Sequence, residues 1–314
     1  MRKRDINGDQ QMPNRREFLR TSMGSLVLSP SAVSFAATTD RKQRLLIGAQ
    51  TNVYGVPIRE YDQLLKILDA LAALDYHGFE TNYASLVPQA SNAKSCRRAF
   101  EARHVAYIGP HCSASLYNRE QAAAEIEDVR KILGYSAEMG ATQLILSGSK
   151  LPYDGRPIHM DQVHNKTEGL NRIGRACAEA GLKLAYHNHW GEFLQEPSEM
   201  NFLLSETDPK LVWFSLNIGH MQGYGPDPVA FSVEHYRRIA NYHLRDVKRG
   251  EAGKKNIQVA EGAGDVDFKG ILAPLLNSDW RGWLIVEEEG NYPNPADHPE
   301  ALLQHARAYL KQII

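Results

Sequence analysis

The feature that most constrains the fold is a regular alternation of short apolar runs with longer amphipathic runs. Eight apolar runs have the length and composition of β-strands, and they occupy residues 45–53, 78–83, 105–112, 142–149, 182–189, 212–220, 240–248 and 282–289. Helical runs lie between or after them, for example at residues 60–75, 120–140, 168–181 and 299–313. Such alternation indicates parallel strands joined by crossover helices. Eight repeats predict an α/β fold closed into a (β/α)₈ barrel, or TIM barrel.

The competing arrangement is an open, doubly wound sheet, which would place a glycine-rich phosphate loop after the first strand. The segment GAQTNVYGVP at that place lacks the required glycine spacing. No proline- or glycine-rich linker divides the chain after residue 40. We therefore expect a single TIM-barrel domain at residues 37–314, a length that suits a barrel of roughly 250 residues.

Residues 1–36 have the layout of an export signal. A basic start is followed by NRREFLR, in which Arg15 and Arg16 precede Phe18 and Leu19, and then by a weakly apolar run that ends in small residues at Ala36. This run is too short and too polar to span a membrane. The paired arginines resemble a twin-arginine export signal. We expect cleavage after Ala36, contact with the twin-arginine export machinery, and a periplasmic or secreted protein; the alternative is a disordered basic N-terminus.

Charge and cysteine content narrow the classes of partner. The 314-residue chain has a net charge of -1, and residues 1–36 carry six basic and three acidic side chains, so the remainder has a net charge of -4. An acidic protein has no electrostatic attraction for phosphates, which argues against nucleic acid as a partner. Three widely spaced cysteines do not make a disulfide framework. Cys112, beside His111, is either a packing residue or a weak metal candidate.

Polar residues gather where the predicted strands end, which is where TIM barrels carry their chemistry. These residues are Glu80, His111, His187, His189, Glu192, Asn217, His220, His243, Arg245, Asp246, Arg249, Glu287 and Glu289. They include five of the 12 histidines of the chain, and this clustering indicates a site. Glu80 is interpreted as a carboxylate that orients a site group or as a structural ion-pair partner. Asp246 is expected to bond to His243 or to a loop.

Side chains alternate between the two faces of a strand, so the pattern also predicts direction. Because the bulky apolar residues should face the helices, His187, Asn217, His243 and Glu287 should point together into the barrel. Two imidazoles, a carboxylate and an amide oxygen form a plausible set of ligands for a divalent cation. Mixed nitrogen and oxygen ligation suits Mn²⁺, Zn²⁺ or Co²⁺, and suits Mg²⁺ less well. The alternative is a wet barrel mouth lined by hydrogen-bonded polar residues.

Five motifs give the chain a resemblance to a known family. They are YHNHWGEF, SLNIGHMQGYGPDP, YHLRDVKRG, EGAGDVDF and RGWLIVEEE. Together they resemble the xylose isomerase-like TIM-barrel superfamily of sugar isomerases and epimerases, which also contains inosose dehydratases and endonuclease IV. The resemblance covers essentially all of residues 37–314. It implies a small-molecule carbohydrate substrate and a divalent metal; the oligomeric state, including a homo-oligomer, stays open.

The resemblance also implies roles for individual residues. The ketose epimerases of this family hold their metal with Glu, Asp, His and Glu on strands five to eight. By motif these positions fall on His187, Asn217, His243 and Glu287, so two match the family and two depart from it. The Asp-x-x-His motif becomes Asn217-x-x-His220, which keeps the histidine that contacts substrate. Further substrate contacts are expected from residues at the strand ends and in the loops beyond, namely His111, His189, Trp190, Glu192 and Arg249.

The departures bear on the reaction. Epimerases of this kind use two metal-bound glutamates on opposite faces of the reacting carbon, and here only Glu287 remains. We therefore expect Glu287 as the catalytic base, with His187 or Glu192 as its partner acid. The first hypothesis is a metal-dependent sugar isomerase or epimerase that abstracts a proton α to a carbonyl. The alternative is a lyase or hydratase acting on a 3-keto sugar or inosose, because the Y-H-x-H pattern is similar to the inosose dehydratase branch.

Two other classes of function remain open at this stage. A non-catalytic sugar-binding barrel would explain His187 and Asn217 as the remains of a metal site, with Trp190 and Tyr224 stacking on sugar rings. A DNA-repair endonuclease is argued against by the expected export and by the net charge of -4 for residues 37–314.

Overall fold

The structure is a computed structural model of the chain. It describes residues 45–152, 158–250, 256–288 and 298–314. The expected export signal at residues 1–36 lies outside these described residues. No helix in the described part of the chain is long and apolar enough to cross a membrane.

Eight parallel strands close into a barrel, which confirms the predicted TIM-barrel fold. The strands of the described chain are β1 (Leu45–Gln50), β2 (Gly78–Asn82), β3 (Ala106–Ser113), β4 (Gln143–Ser147), β5 (Lys183–His187), β6 (Val212–Asn217), β7 (Ile239–Leu244), β8 (Asp246–Lys248), β9 (Ile257–Val259) and β10 (Gly282–Val286). The first seven strands lie side by side in chain order, and β10 closes the barrel between β7 and β1. β8 and β9 form an antiparallel hairpin in the loop after β7.

Helices follow the strands and cover the outside of the barrel. They are α1 (Tyr61–Ala73), α2 (Ala93–Glu101), α3 (Arg119–Glu138), α4 (Met160–Glu179), α5 (Glu199–Glu206), α6 (Ile218–Met221), α7 (Pro228–His235), α8 (Phe268–Leu276) and α9 (Pro299–Ile313). Gly140 and Gly181, just beyond α3 and α4, have φ angles of 99° and 78°. Glycine adopts this left-handed conformation without steric cost, which ends each helix and turns the chain toward the next strand.

The barrel has two apolar layers. Side chains such as Leu184 and Phe214 point outward and are buried beneath the helices. A separate buried cluster of Ile108, Ile145, Trp283 and Ile285 fills the barrel interior. The interior position of Trp283 and Ile285 is the one that the period-two pattern predicts.

Several strands are shorter than the apolar runs predict, and this places two histidines differently. The run at 182–189 ends as a strand at His187, and the run at 212–220 ends at Asn217. His189 caps a single 3₁₀ turn at Trp190–Phe193, and His220 lies within α6. α6 begins at the end of β6, where the side chain of Asn217 accepts the backbone N–H of His220. Period-two patterning cannot reveal such local caps.

Candidate active site

Histidines from several strands meet at the carboxyl end of the barrel. The ring centroid of His187, at the end of β5, lies 4.5 Å from that of His243 on β7 and 4.9 Å from that of His111 on β3. The His189 ring is 5.2 Å away from the His187 ring, and the His220 ring is 6.5 Å away. His187 and His243 are buried, whereas the other three are partly exposed. The structure thus brings together all five histidines that the sequence places at strand ends.

His243 is held between two buried carboxylates. Its Nδ1 lies 2.7 Å from Oε2 of Glu287, and its Nε2 lies 2.8 Å from Oε2 of Glu80. The other oxygen of Glu80 is 2.6 Å from Nδ1 of His111 and accepts a hydrogen bond from Gln50 at 2.9 Å. Glu80 therefore contacts two histidines of the site, and each contact is an ion pair when the histidine carries a proton, so both interpretations of Glu80 remain predictions. A continuous chain of hydrogen bonds joins Glu287, His243, Glu80 and His111.

Glu287 follows β10 and is the central acceptor of the site. Nδ2 of Asn217 donates to its Oε2 at 2.7 Å, and Nη1 of Arg245 approaches its Oε1 at 3.3 Å. Burial alone would raise the pKa of Glu287, but the hydrogen bond from His243 and the positive charges of His243 and Arg245 hold it well below the usual range. Glu287 is therefore ionised at neutral pH.

The charges in this chain of hydrogen bonds stabilise one another. Burial alone would lower the pKa of His243, but Glu80 and Glu287 raise it to about 10. Burial alone would raise the pKa of Glu80, but His243 and His111 lower it to about 2. In this arrangement His243 carries a proton and a positive charge between two carboxylates. The network balances two buried negative charges with cationic donors.

The amide of Asn217 is oriented with its nitrogen toward the site. Its Oδ1 accepts the backbone N–H of His220 at 3.0 Å and so caps α6, while its Nδ2 donates to Glu287 and lies 3.4 Å from Nε2 of His187. The strand pattern predicts that Asn217 offers an amide oxygen to a metal. Because that oxygen is taken by the helix cap, Asn217 instead positions Glu287.

His187 occupies the middle of the site. Its Nδ1 lies 3.4 Å from Oγ of Ser215, deeper in the barrel, and its Nε2 is the nitrogen on the Asn217 side. Burial and the neighbouring histidines, His243 first among them, hold its pKa well below the ordinary value. His187 is therefore neutral, which suits a ligand nitrogen better than a proton-donating acid.

His189 and His220 form the outer part of the site. Their ring centroids are 4.9 Å apart. Burial lowers the pKa of His189 to about 4, and burial together with the charge of Arg245 lowers the pKa of His220 to about 3. Both rings are neutral at physiological pH, so each has one nitrogen with a lone pair available.

Glu192 lies behind the histidines, and this corrects its expected role as a partner acid or substrate contact. Its Oε1 accepts a hydrogen bond from the Tyr186 hydroxyl at 2.9 Å, and its Oε2 accepts the backbone N–H of His189 at 3.1 Å. The side chain is completely buried, and burial raises its pKa to about 7. These contacts fix the turn that carries His189 and Trp190.

Trp190 and Arg249 lie at the periphery of the described site. The Trp190 ring is 5.6 Å from the ring of Tyr224, and Nζ of Lys150 lies 5.2 Å from its centroid. Arg249 is exposed, and its backbone N–H bonds to Asp265 at 2.8 Å. None of the described hydrogen bonds joins the Arg249 side chain to the histidine cluster. Its expected contact with substrate remains a prediction.

A buried ion pair near the site could not be predicted from the motifs of the sequence. Lys166 of α4 is completely buried; it forms an ion pair with Glu199 and donates to the carbonyl of Ser149 at 2.8 Å. Glu199 also accepts the backbone N–H of Leu151, so the pair holds the loop after β4. The signal was present, because Lys166 lies on the face of α4 that buries Val163 and Leu170.

Asp246 accepts the backbone N–H of Val247 in β8 and those of Gly262, Gly264 and Val266 in the loop that follows β9. It therefore bonds to a loop, as one of the two expectations held. Cys112 is buried with a reduced thiol, and burial raises its pKa to about 12. This agrees with the packing interpretation.

Among the residues that the structure describes, two overlapping groups of side chains have the geometry to hold a metal ion. The inner set consists of His187, His243 and Glu287, and the outer set consists of His187, His189 and His220. Within each set the ligand atoms all lie within 4.8 Å of one another. Imidazole and carboxylate donors at this spacing fit Zn²⁺, Co²⁺ or Mn²⁺. His187 belongs to both sets.

Comparison with known proteins places these features in context. The inosose dehydratase of Lactiplantibacillus plantarum is 34% identical over 174 residues, which cover 51% of this chain and 57% of that protein. That match, like the match to the inosose dehydratase of Clostridium tetani, spans little more than half the length of the relative. The inosose dehydratase of Geobacillus thermodenitrificans is 29% identical over 246 residues, or 70% of this chain and 81% of that protein.

Solved structures share the fold. The crystal structure of the IOLI protein, described with a bound zinc atom, superposes with a TM-score of 0.68 at 13% identity and covers 86% of this chain and 97% of that one. At this identity the superposition demonstrates the fold alone. Residues 68–313 match the family described as "Xylose isomerase-like TIM barrel". Together with the closed barrel of eight parallel strands, this match shows that the chain belongs to the xylose isomerase-like TIM barrel family.

Proposed function

We propose that this protein is a metal-dependent lyase that removes water from an inosose-type cyclic ketone or a keto sugar. The observation that carries the proposal is the ionised carboxylate of Glu287 at the barrel mouth, with the neutral His187 in the place where the epimerases have a second carboxylate. The curated relatives that match over half or more of this chain are named inosose dehydratases, which supports elimination over isomerisation. The reaction begins with abstraction of a proton α to a carbonyl and ends with loss of hydroxide from the next carbon.

Glu287 accepts the proton from the α-carbon. It is ionised, and its Oε1 is the oxygen less committed to the protein, with Arg245 at 3.3 Å. Arg245 and His243 stabilise its negative charge before the transfer, which makes it a mild base. Such a base suffices where the proton to be removed is acidified by an adjacent polarised carbonyl.

The chain of hydrogen bonds from Glu287 keeps this base ionised and fixed in position. Oε2 of Glu287 contacts His243, His243 contacts Glu80, and Glu80 contacts His111, with heavy-atom distances of 2.6–2.8 Å. His243 donates to both carboxylates, so Glu287 stays ionised until it takes up the proton of the α-carbon. That proton then leaves with the departing hydroxide as water, and Glu287 returns to its ionised state.

The donor atoms fit a divalent metal. His187 is the common ligand, and it acts either with His243 and Glu287 or with His189 and His220. A divalent ion, when bound, would polarise the ketone and stabilise negative charge on its oxygen. The neutral state of His187 serves this role because only an unprotonated nitrogen binds a metal.

An isomerase or epimerase, the first hypothesis from the sequence, receives less support. Proton removal and return on opposite faces of one carbon needs two acid–base groups flanking the substrate. In the described site His187 takes the place of the second carboxylate, and its pKa is lowered by burial. Glu192, the other candidate, is bonded to Tyr186 and the His189 amide rather than facing the substrate.

The test is to incubate the purified, metal-loaded protein with an inosose and with a 3-keto sugar in D₂O. We expect exchange of the α-hydrogen and the appearance of a dehydrated product by NMR. The variant Glu287→Gln should lose both signals, while Glu127→Gln, on the exposed face of α3, should retain them. Exchange without loss of water would instead establish epimerisation. If the protein binds the sugar equally well with and without chelator, and neither exchange nor product is seen, the protein is a non-catalytic sugar-binding barrel.

We further propose that the protein is exported through the twin-arginine machinery. The support is the paired Arg15 and Arg16 followed by Phe18 and Leu19 within an otherwise signal-like segment. This route carries folded proteins, so a metal ion loaded before export would travel with the barrel.

A further inference from the structure

The two possible metal positions at the barrel mouth compete for one ligand. His187 is common to both sets, and its Nδ1 is directed at Ser215 deeper in the barrel. This leaves Nε2 as the nitrogen that faces Asn217 and the site. A single nitrogen binds a single ion, so the inner and outer sets are alternatives. The question of which set holds the ion rests on the proposed metal-dependent function.

The donors of the inner set are already engaged with one another. Nδ1 of His243 and Oε2 of Glu287 are joined by a 2.7 Å hydrogen bond. The opposite nitrogen of His243 is bonded to Glu80, and the same oxygen of Glu287 accepts from Asn217. An ion placed between His243 and Glu287 would have to break this bond and displace a proton. It would also lie beside the cationic guanidinium of Arg245 at the other Glu287 oxygen.

The outer set has no such internal bonding. Among the described residues no hydrogen bond to the ring of His220 is found, and its backbone amide is anchored by Oδ1 of Asn217 at 3.0 Å. The backbone of His189 is anchored by Glu192 in the same manner at 3.1 Å. Both imidazoles are therefore carried on fixed backbone and present their rings to each other, with centroids 4.9 Å apart. Their partial exposure leaves one side open for water or substrate.

We propose that the divalent cation of this chain binds to His187, His189 and His220, in a three-imidazole site that prefers Zn²⁺ or Co²⁺ to Mg²⁺. Three neutral nitrogens with one open position are the ligand arrangement of catalytic zinc sites. This set differs from the one that family resemblance implies, which combines His187 with Asn217, His243 and Glu287. It leaves the bonded pair of His243 and Glu287 intact, so that Glu287 remains available as the base.

Zinc titration of the full chain, stripped with chelator, tests the assignment by isothermal calorimetry. We expect His189→Ala and His220→Ala each to weaken zinc binding by at least about 100-fold, beyond the 10- to 100-fold typical of a group that only supports a ligand. Glu287→Gln should weaken it by less than about 10-fold, since it is not a ligand in this arrangement. His164→Ala, an exposed histidine of α4, is the matched control and should bind as wild type does.

X-ray absorption at the zinc edge gives a second readout that does not depend on affinity. Three imidazole ligands are expected for the wild type and two for His220→Ala, with circular dichroism to verify that each variant is folded. The assignment is overturned if Glu287→Gln abolishes binding while the two outer variants bind normally. The assignment is also overturned if the Kd of the wild type for zinc is above about 1 mM. Zinc bound by three imidazoles without any turnover would sustain the assignment and reject the lyase.

Discussion

His243 and Glu287 lie on or beside neighbouring barrel strands, and Nδ1 of the histidine is 2.7 Å from Oε2 of the carboxylate. A second carboxylate, Glu80, lies 2.8 Å from the other nitrogen of the same ring. A histidine bonded on both sides to carboxylates holds its proton tightly, and the carboxylates in turn stay ionised. This arrangement produces a fixed, ionised base at the barrel mouth.

Replacing Glu80 by glutamine should slow catalysis while leaving substrate binding nearly unchanged. The variant keeps the shape of the side chain but removes the charge that holds the proton on His243 and orients His111. We expect kcat to fall by about 10- to 100-fold, the range typical of a group that supports a functional residue from behind. Steady-state kinetics with an inosose would measure kcat and KM separately, with Glu127→Gln as the control. A rise in KM at constant kcat would contradict a role in supporting the base.

The stability of the metal-free protein should fall as the pH is raised above neutrality. The pKa of His243 is about 10 when folded against an ordinary value of 6.5, so its contribution is complete below pH 6.5 and is lost as the pH rises through 10. Urea unfolding at about pH 6 and about pH 9.5 would measure the difference in free energy. Glu80→Gln should flatten this alkaline loss, whereas Glu127→Gln should reproduce it. An unchanged slope in Glu80→Gln would argue against the proposed charges.

Breaking the buried ion pair of Lys166 and Glu199 should be strongly destabilising. Both side chains are buried, so Lys166→Met leaves an uncompensated carboxylate and frees the loop after β4. Loss of one partner of such a pair typically costs about 3–5 kcal/mol of unfolding free energy. The exposed pair of Lys131 and Asp128 provides the control, and Lys131→Met should change stability by less than about 1 kcal/mol. Equal effects in chemical denaturation would show that burial of the Lys166 pair is unimportant.

Replacing Asn217 by aspartate should make the protein depend more on metal. The change removes the N–H that donates to Glu287 at 2.7 Å and sets two carboxylates side by side. The metal-free variant should therefore melt at a lower temperature, and added Mn²⁺ should raise its Tm more than it raises that of the wild type. Thermal unfolding with and without Mn²⁺ would measure both effects. Asn92→Asp, at an exposed position, should behave as wild type in each condition.

Export can be followed by cell fractionation of the full-length protein in a host that has the twin-arginine system. We expect Arg15→Lys together with Arg16→Lys to retain the protein in the cytoplasm, because the signal depends on the arginine pair. Arg20→Lys lies outside the pair and should be exported normally. Periplasmic protein in the double variant would point to another route.

The barrel and the direction of its interior side chains could be predicted because they depend on two strong signals. The alternation of apolar and amphipathic runs determines the strand and helix order, and the period of two determines that His187, His243 and Glu287 face inward. The details beyond the strand ends could not be predicted. Whether the Asn217 amide turns its oxygen or its nitrogen to the site depends on the helix it caps, and this is a tertiary relationship.

Glu192 and Lys166 both show that distance along the sequence does not determine which side chains take part in the site. Glu192 follows the histidine motif closely, but a 3₁₀ turn takes it behind the site, where it bonds to Tyr186. Lys166 lies far from any motif, yet its place on the apolar face of α4 brings it beneath the loop after β4. Proximity in sequence does not show which side chains lie in the site when a turn connects them to it. Helical periodicity shows better which side chains are buried.

The apolar cluster of Ile108, Ile145, Trp283 and Ile285 has a consequence for the order of events in turnover. It fills the barrel below the histidines, and Gly78 is required there because an added Cβ would come within 2.7 Å of the Trp283 ring. Because this cluster closes the barrel below the histidines, substrate, product and ion must all enter and leave through the carboxyl end of the barrel. A bound ligand should therefore trap the ion, and chelators should strip metal fastest from the protein between catalytic cycles.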